Sequence, residues 1–174
     1  MTRMGRTTEL RRELKRRFHP HAERLGFSIE EHGALGADFR RVTPERVDVF
    51  DLQWHKYGAP RFVVNFGQGP GSGVVHFGKQ IPPEKMLSYM GPEMGRLQPR
   101  GGGATTRAWF CQDPPWFERL VLRRDDRPAA DVVDSLLALF PEVEDWFRTG
   151  SRGPHLHFVS NPFGAGQSGS SVTR

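Results

Sequence analysis

The stretch that most constrains the fold runs from Arg46 to Gly67, where apolar and polar side chains alternate. Successive side chains of a β-strand point to opposite faces, so this alternation predicts two strands. The segment from Lys56 to Pro60 contains Gly58 and Pro60, which suits the turn between them. The alternation places large apolar side chains on one face of the hairpin: Phe50, Leu52, Trp54, Phe62, Val64 and Phe66. We therefore expect a β-hairpin with an apolar face on which other elements pack.

The opposite face of this predicted hairpin is polar. Its first strand carries Asp51, Gln53 and His55, and its second strand carries Arg61 and Asn65. Antiparallel sheets commonly leave one face in water, so an ordinary solvated surface is the more common explanation of such a row. We predict it as a partner-binding surface, on the condition that helices cover only the other face of the sheet.

Helices are predicted at both ends of the domain. Thr7 or Thr8 can cap an N-terminal helix whose apolar residues recur at helical spacing. Pro20 either kinks this helix or begins a second one. Near the other end Pro128 opens a helix with a long apolar stripe, which Pro141 divides in two. These helices supply the apolar surface that the hairpin needs to bury.

Shorter strands complete the predicted sheet. Residues 27–31 and 37–42 are strand candidates, residues 74–77 supply a fifth strand, and residues 107–112 and 116–122 are either strands or packed loops. Residues 1–150 are therefore predicted to form one α+β domain, a single antiparallel sheet of four to six strands with the N- and C-terminal helices packed on one face. Residues 151–174 are rich in Gly and Ser and are predicted to be a mobile tail.

Length and composition exclude several classes of protein. A chain of 174 residues with 36% hydrophobic residues and 13 Phe can build a sizeable core and is not a disordered chain. The single cysteine, Cys111, excludes an intramolecular disulfide and a zinc site of several thiolates, and we expect it to be buried. The N-terminal region has no apolar run for a signal peptide or a membrane span. We therefore expect a soluble, cytoplasmic protein without membrane association.

The positive charge lies at one end of the chain. The net charge of +5 is contained in residues 1–25, where eight Lys and Arg face three Glu. Nucleic-acid binding through this basic first helix is one alternative function, although a charged helix is more often a solvated surface. We therefore do not expect nucleic acid to be the main partner.

A second alternative is a metal-dependent hydrolase that uses His155 and His157. The segment GPHLHF at residues 153–158 is similar to the closing motif of the lysostaphin-type zinc peptidases, in which the first histidine assists catalysis and the second binds zinc. A catalytic zinc needs three protein ligands, and the family's upstream His and Asp have no counterpart at matching spacing. With no complete catalytic set, we predict no cofactor and favour a small binding module for a protein partner over an enzyme.

Several segments of the chain follow one another in a recognisable order. They are Leu25-Gly26-Phe27, Phe39-Arg40-Arg41, VFDLQW with RFVVNFG, a later Trp-Phe pair, and FPEVEDWF, and they span most of residues 10–148. This order resembles the family called domain of unknown function 4304. The resemblance implies an α+β domain and transfers no catalytic residue, because none is established for that family.

Overall fold

The computed structural model describes residues 5–100, 108–113, 121 and 126–159. Three α-helices are bounded within these ranges, α1 (Arg6–Arg24), α2 (Ala129–Leu139) and α3 (Pro141–Thr149), together with two 3₁₀ helices at Gly33–Leu35 and Pro83–Lys85. The strands described are β1 (Ser28–Glu31), β2 (Ala37–Val42), β3 (Arg46–Trp54), β4 (Arg61–Pro70), β5 (Val74–His76), β6 (Lys79–Ile81), β7 (Glu93–Leu97), β8 (Phe110–Cys111) and β9 (Leu156–Val159). None of the described helices combines the length and the apolar character needed to cross a membrane.

The main sheet is antiparallel throughout and has seven strands, in the order β1-β2-β3-β4-β7-β9 with β8 paired to the end of β4. This confirms the predicted α+β architecture. The sheet exceeds the predicted four to six strands because three short strands join it beyond β4. The predicted strand at residues 74–77 is not part of it, since β5 pairs with β6 in a separate two-stranded ribbon.

The predicted hairpin is the centre of the sheet. β3 and β4 pair in a register that places their apolar residues opposite one another: Phe50 with Phe66, Leu52 with Val64, and Trp54 with Phe62. The helices lie on this face and enclose the main core. Phe18 of α1 contacts Phe50 at 5.9 Å between ring centroids, and Phe140, between α2 and α3, contacts it at 4.9 Å. One aromatic side chain of the sheet therefore touches both helical ends of the chain.

The helices differ from prediction in detail. α1 runs through Pro20 without interruption, and its N-cap is Gly5 rather than Thr7 or Thr8. The Thr7 hydroxyl instead donates to the carbonyl oxygen of Gly58, in the turn between β3 and β4. Pro141 divides the C-terminal helices as predicted, because it fits the first turn of α3.

A second, smaller layer covers part of the other sheet face. Val47 and Val49 of β3 point away from the helices and are fully buried against Met86, with Val74 and Met90 packed beside them. These contacts come from the β5–β6 ribbon and the segment that follows it, residues 82–92. On the half of this face near the end of β3, Val63 is fully buried and its neighbour across the strands, Gln53, is exposed.

The predicted tail begins too early. Residues 156–159 form β9, which pairs with β7 at the edge of the sheet, so the predicted boundary at residue 150 is wrong. The Gly and Ser composition around β9 conceals this short strand from sequence analysis. Residues 160–174 lie outside the described ranges. Two segments, residues 107–112 and 116–122, are predicted as either strands or packed loops. Residues 110–111 of the first form β8, and the second lies outside the described ranges except for Val121.

Candidate functional site

A continuous row of polar side chains crosses the sheet on the face away from the helices. Residues that face one another in register on neighbouring strands share a face of the sheet. Six strands contribute one such residue each, in the order Glu30, Asp38, Asp51, Asn65, Arg96 and His157. Acidic groups therefore occupy the β1 to β3 part of the row, and donor groups occupy the β4 to β9 part.

A cleft of about 610 Å³ opens above the β1 to β4 part of this row. Asp51, Gln53 and Asn65 contribute to its sheet side, and Ser88 and Tyr89 contribute from the segment at residues 82–92. We call it the sheet-face cleft. Its volume lies in the range of roughly 300–1,000 Å³ that is typical of ligand sites in proteins.

Asp51 is the central ionisable group of the cleft. Its carboxylate accepts hydrogen bonds from the Asn65 amide at 2.9 Å and from the Ser88 hydroxyl. Asn65 also donates to Gln53 at 3.0 Å and accepts from the Arg96 guanidinium at 3.0 Å. Desolvation raises the pKa of Asp51 to about 6, and the two hydrogen bonds only partly oppose this rise. The cleft thus holds a carboxylate whose described hydrogen-bond partners are neutral.

The neighbouring carboxylates are paired with Arg40, which is only 6% exposed. Its guanidinium donates to Glu30 at 2.7 Å, to Asp38 at 3.0 Å and to the Met86 carbonyl oxygen at 2.7 Å. The first of these bonds is the main reason why the pKa of Glu30 is lowered. Arg40 therefore connects the sheet to the covering segment and compensates the acidic wall of the cleft.

Glu30, His32 and Asp38 also meet the spacing expected of a metal site, since one possible ligand atom of each lies within 4.8 Å of the others. Asp38, however, already contacts His32 at 2.8 Å and Arg40 at 3.0 Å through the same oxygen. The Arg40 guanidinium thus already compensates both carboxylates, Glu30 at 2.7 Å and Asp38 at 3.0 Å. This arrangement fits an ion-pair cluster better than a metal centre.

The close approach of the covering segment depends on a glycine. A Cβ atom on Gly67 of β4 would lie 2.1 Å from the carbonyl oxygen of Ser88, which is far inside van der Waals contact. Only a residue without a side chain lets Ser88 reach the Asp51 carboxylate. Gly67 therefore helps to set the depth of the sheet-face cleft.

The predicted binding residues divide into two groups. Asp51, Gln53 and Asn65 lie together in the cleft. Arg61 instead pairs with Asp113 at 2.6 Å, and the His55 ring lies 6.4 Å from that of Trp109, so these two residues do not line the cleft. None of the three described α-helices covers the row, since they pack on the opposite face, but the covering segment includes a short 3₁₀ helix, Pro83–Lys85.

Sequence reasoning missed several residues of the cleft. Asp38 and Arg40 alternate with Phe39 in β2, so their shared face was open to prediction from the period of two. Ser88 and Tyr89 carry no such signal, because a loop brings them to the sheet from a distant part of the sequence.

The two alternative sites have other partners. His155 binds Glu142 at 2.6 Å, and no set of three possible metal ligands among the described residues includes His155 or His157. Basic residues of α1 form ion pairs with acidic groups, namely Arg6 with Asp126, Lys15 with Glu31, Arg16 with Glu13 and Arg17 with Asp134. These pairs reduce the free positive charge that a nucleic-acid surface would need.

No family model, curated protein or solved structure matches this chain. The resemblance to domain of unknown function 4304 therefore stays a prediction. The fold and the cleft together define an α+β protein with an accessible polar recess on its sheet, and the function is inferred from that geometry.

Burial of Asp51 predicts a specific pH dependence of stability. Its pKa is about 6 in the folded protein against an ordinary value of 3.8, so its favourable contribution to stability is present below pH 3.8 and is lost as pH rises through 6. Relative to the wild type, Asp51→Asn is expected to gain roughly 2–3 kcal/mol of unfolding free energy as pH rises from about 4 to about 8. Urea denaturation at several pH values measures this change.

The matched control for this pH series is Asp145→Asn, which alters the same functional group at an exposed position on α3. The side chain of Asp51→Asn can accept only one of the two hydrogen bonds, which changes stability by an amount that does not depend on pH. The informative quantity is therefore how the difference in unfolding free energy from the wild type varies with pH. A difference from wild type that stays constant with pH, or an equal gain in the control, would contradict the burial argument.

Proposed function

We propose that this protein is a small binding module that receives a protein partner in the sheet-face cleft. The observation that carries the proposal is the recess of about 610 Å³ on the sheet face that the helices leave open, with Asp51, Gln53 and Asn65 contributing to it. The carboxylate of Asp51 is held by two hydrogen bonds, an arrangement that presents a fixed surface to a ligand. A cytoplasmic location, predicted from the sequence, belongs to this proposal.

Exposed aromatic residues beside the cleft support a protein as the partner. Tyr89 lines the cleft and is 46% exposed, and its ring lies 5.8 Å from that of His76. The His76 ring in turn lies 4.5 Å from Phe77, which is 75% exposed at the turn between β5 and β6. Aromatic residues are enriched at protein interfaces, where they provide large contact areas.

The backbone at Phe77 supports the same interpretation. Phe77 has φ of 48°, a left-handed conformation that a bulky residue rarely adopts. Gly78 follows it with φ of 73°, so the ribbon turns tightly and holds the phenyl ring outward. An exposed phenylalanine kept in an unfavourable conformation is typical of a residue with a role in binding.

The proposal is tested on a partner isolated by affinity capture with the full chain and then purified. We expect Tyr89→Ala to weaken binding of that partner at least about tenfold, as truncation of an interface aromatic commonly does. Tyr57→Ala is the matched control, because Tyr57 is also exposed but lies in the turn between β3 and β4, outside the cleft. Isothermal titration calorimetry gives the affinities.

Equal affinities of Tyr89→Ala, Tyr57→Ala and the wild type would show that the cleft does not bind that partner. A captured nucleic acid that is released steeply by salt and is insensitive to Tyr89→Ala would favour the basic surface of α1 instead. Either result would leave the sheet face as an ordinary solvated surface.

A further inference from the structure

We infer that the sheet-face cleft recognises a cationic side-chain group of its partner, the ammonium of a lysine or the guanidinium of an arginine. The inference rests on the proposed binding function and adds the chemical class of the ligand. The charges of the cleft, the hydrogen bonds of Asp51 and the aromatic ring of Tyr89 support this class of ligand.

The cleft is locally acidic in a chain whose net charge is +5. Three carboxylates, His32 and two cationic side chains, Arg40 and Lys85, line it. Each of the three guanidinium nitrogens of Arg40 donates a hydrogen bond. The acceptors are Glu30, Asp38 and the Met86 carbonyl oxygen. Both cations that line the cleft therefore act on its Glu30 and Asp38 side, and neither is among the described hydrogen-bond partners of Asp51.

Asp51 is the acidic group that a ligand would complete. Its described hydrogen-bond donors, Ser88 and Asn65, are both neutral. A carboxylate taken out of water without a cation in contact is poorly stabilised, so a positive group that enters the cleft replaces the lost hydration. Binding of this cation would leave the two existing hydrogen bonds of Asp51 in place, because each carboxylate oxygen can accept a second hydrogen bond.

Tyr89 supplies a second, independent feature of a cation site. Its half-exposed ring lines the same cleft as Asp51. Ammonium and guanidinium groups bind to the faces of aromatic rings, with an attraction of roughly 0.5–2 kcal/mol that grows as the cation loses water. A carboxylate combined with an aromatic ring therefore suits a cation better than a neutral or an anionic group.

The charged neighbours of Asp51 set the expected pH dependence. Asp38 on β2 repels its charge and Arg96 on β7 attracts it. Lys85, on the covering segment, acts on Glu30, and His32 lines the same cleft and contacts Asp38 at 2.8 Å. The Nε of Arg96 donates a hydrogen bond to the amide oxygen of Asn65 at 3.0 Å. Protonation of Asp51 removes the negative charge, so binding of a cation is expected to weaken on acidification through about pH 6.

The test uses four small probes and the full chain labelled with ¹⁵N: the N-acetyl amides of arginine, lysine, citrulline and glutamate. We expect the arginine or the lysine probe to shift the backbone resonances of Asp51, Gln53 and Asn65 in a saturable way, and the citrulline and glutamate probes to leave them unchanged. Single side-chain groups bind weakly, so the Kd is expected on the order of millimolar. Comparison of the first two probes distinguishes guanidinium from ammonium.

Two variants make the result specific to the cleft. Asp51→Asn is expected to raise the Kd of the cationic probe at least about fivefold and to abolish its pH dependence, whereas Asp145→Asn leaves both unchanged. Tyr89→Ala, an exposed substitution that does not endanger folding, is expected to raise the Kd about threefold. Circular dichroism verifies that each variant is folded.

The cation inference would be overturned if the citrulline probe shifted the backbone resonances of the cleft as much as the cationic probes, or if only the glutamate probe shifted them. Either result would leave the proposed binding function standing. Absence of cleft shifts with every probe would overturn the cation inference as well. The proposed function fails separately, if the purified partner binds Tyr89→Ala and Tyr57→Ala with equal affinity.

Discussion

Replacement of Arg41 by methionine is expected to destabilise the fold by about 3 kcal/mol, because it leaves the charge of Asp48 buried. Asp48 is fully buried, and its carboxylate accepts hydrogen bonds from Arg41 at 2.8 and 3.1 Å. Arg41 also donates to Glu144 of α3 and to the Leu25 carbonyl oxygen, both at 2.9 Å. The value lies at the lower end for a broken buried pair, since Arg46 still contacts Asp48 at 3.2 Å.

Urea denaturation measures this loss against Arg16→Met, a control that removes the same group from an exposed pair with Glu13 on α1. Surface pairs contribute about 0–1 kcal/mol, so the control should remain close to wild type. The double variant Arg41→Met with Asp48→Asn should recover a large part of the loss, because no buried charge remains. If Arg41→Met is as stable as Arg16→Met, the burial of Asp48 is not the controlling factor.

Phe50→Ala is expected to cost about 3–5 kcal/mol of unfolding free energy, the range for deletion of a buried phenyl ring. Phe50 has no exposed surface, and its ring stacks on Phe39 at a centroid distance of 4.3 Å. It also contacts Phe27 and Phe140 at 4.9 Å each. The cavity would therefore open where the sheet, α1 and the C-terminal helices meet.

The matched control for this substitution is Phe77→Ala, since Phe77 is 75% exposed at the turn of the β5–β6 ribbon. Removal of an exposed ring should change stability by less than about 0.5 kcal/mol. The same control protein is useful for binding, because Phe77 belongs to the aromatic surface beside the cleft. A small effect of Phe50→Ala would show that the core around β3 can collapse into the space.

The two faces of the sheet therefore have different roles. The apolar face carries most of the stability, through aromatic contacts that bind both helical ends to the hairpin. The polar face keeps Asp51 in a position that lowers stability near neutral pH. A group retained at such a cost is typical of a functional site, where binding takes precedence over stability.

Local sequence patterns were sufficient for the centre of the fold. The alternation between residues 46 and 67 determines which side chains of β3 and β4 share a face, because the period of a strand is fixed by its backbone. The helical spacing of Leu10, Leu14, Phe18 and Ala22 likewise determines the buried side of α1. The polar composition of the opposite sheet face follows from the same alternation.

Only the tertiary structure decided how that polar face is used. The Ser88 hydroxyl reaches Asp51 across 37 positions of the chain, and Arg40 reaches the Met86 carbonyl oxygen across 46. Strands β7 and β9 are short and lack a clear alternation, so their place beside β4 depends on pairing with a sheet already formed. The periodicity of a sequence predicts which face of its own helix or strand a residue occupies. A cleft and a raised pKa instead depend on groups that are distant in sequence and adjacent in space.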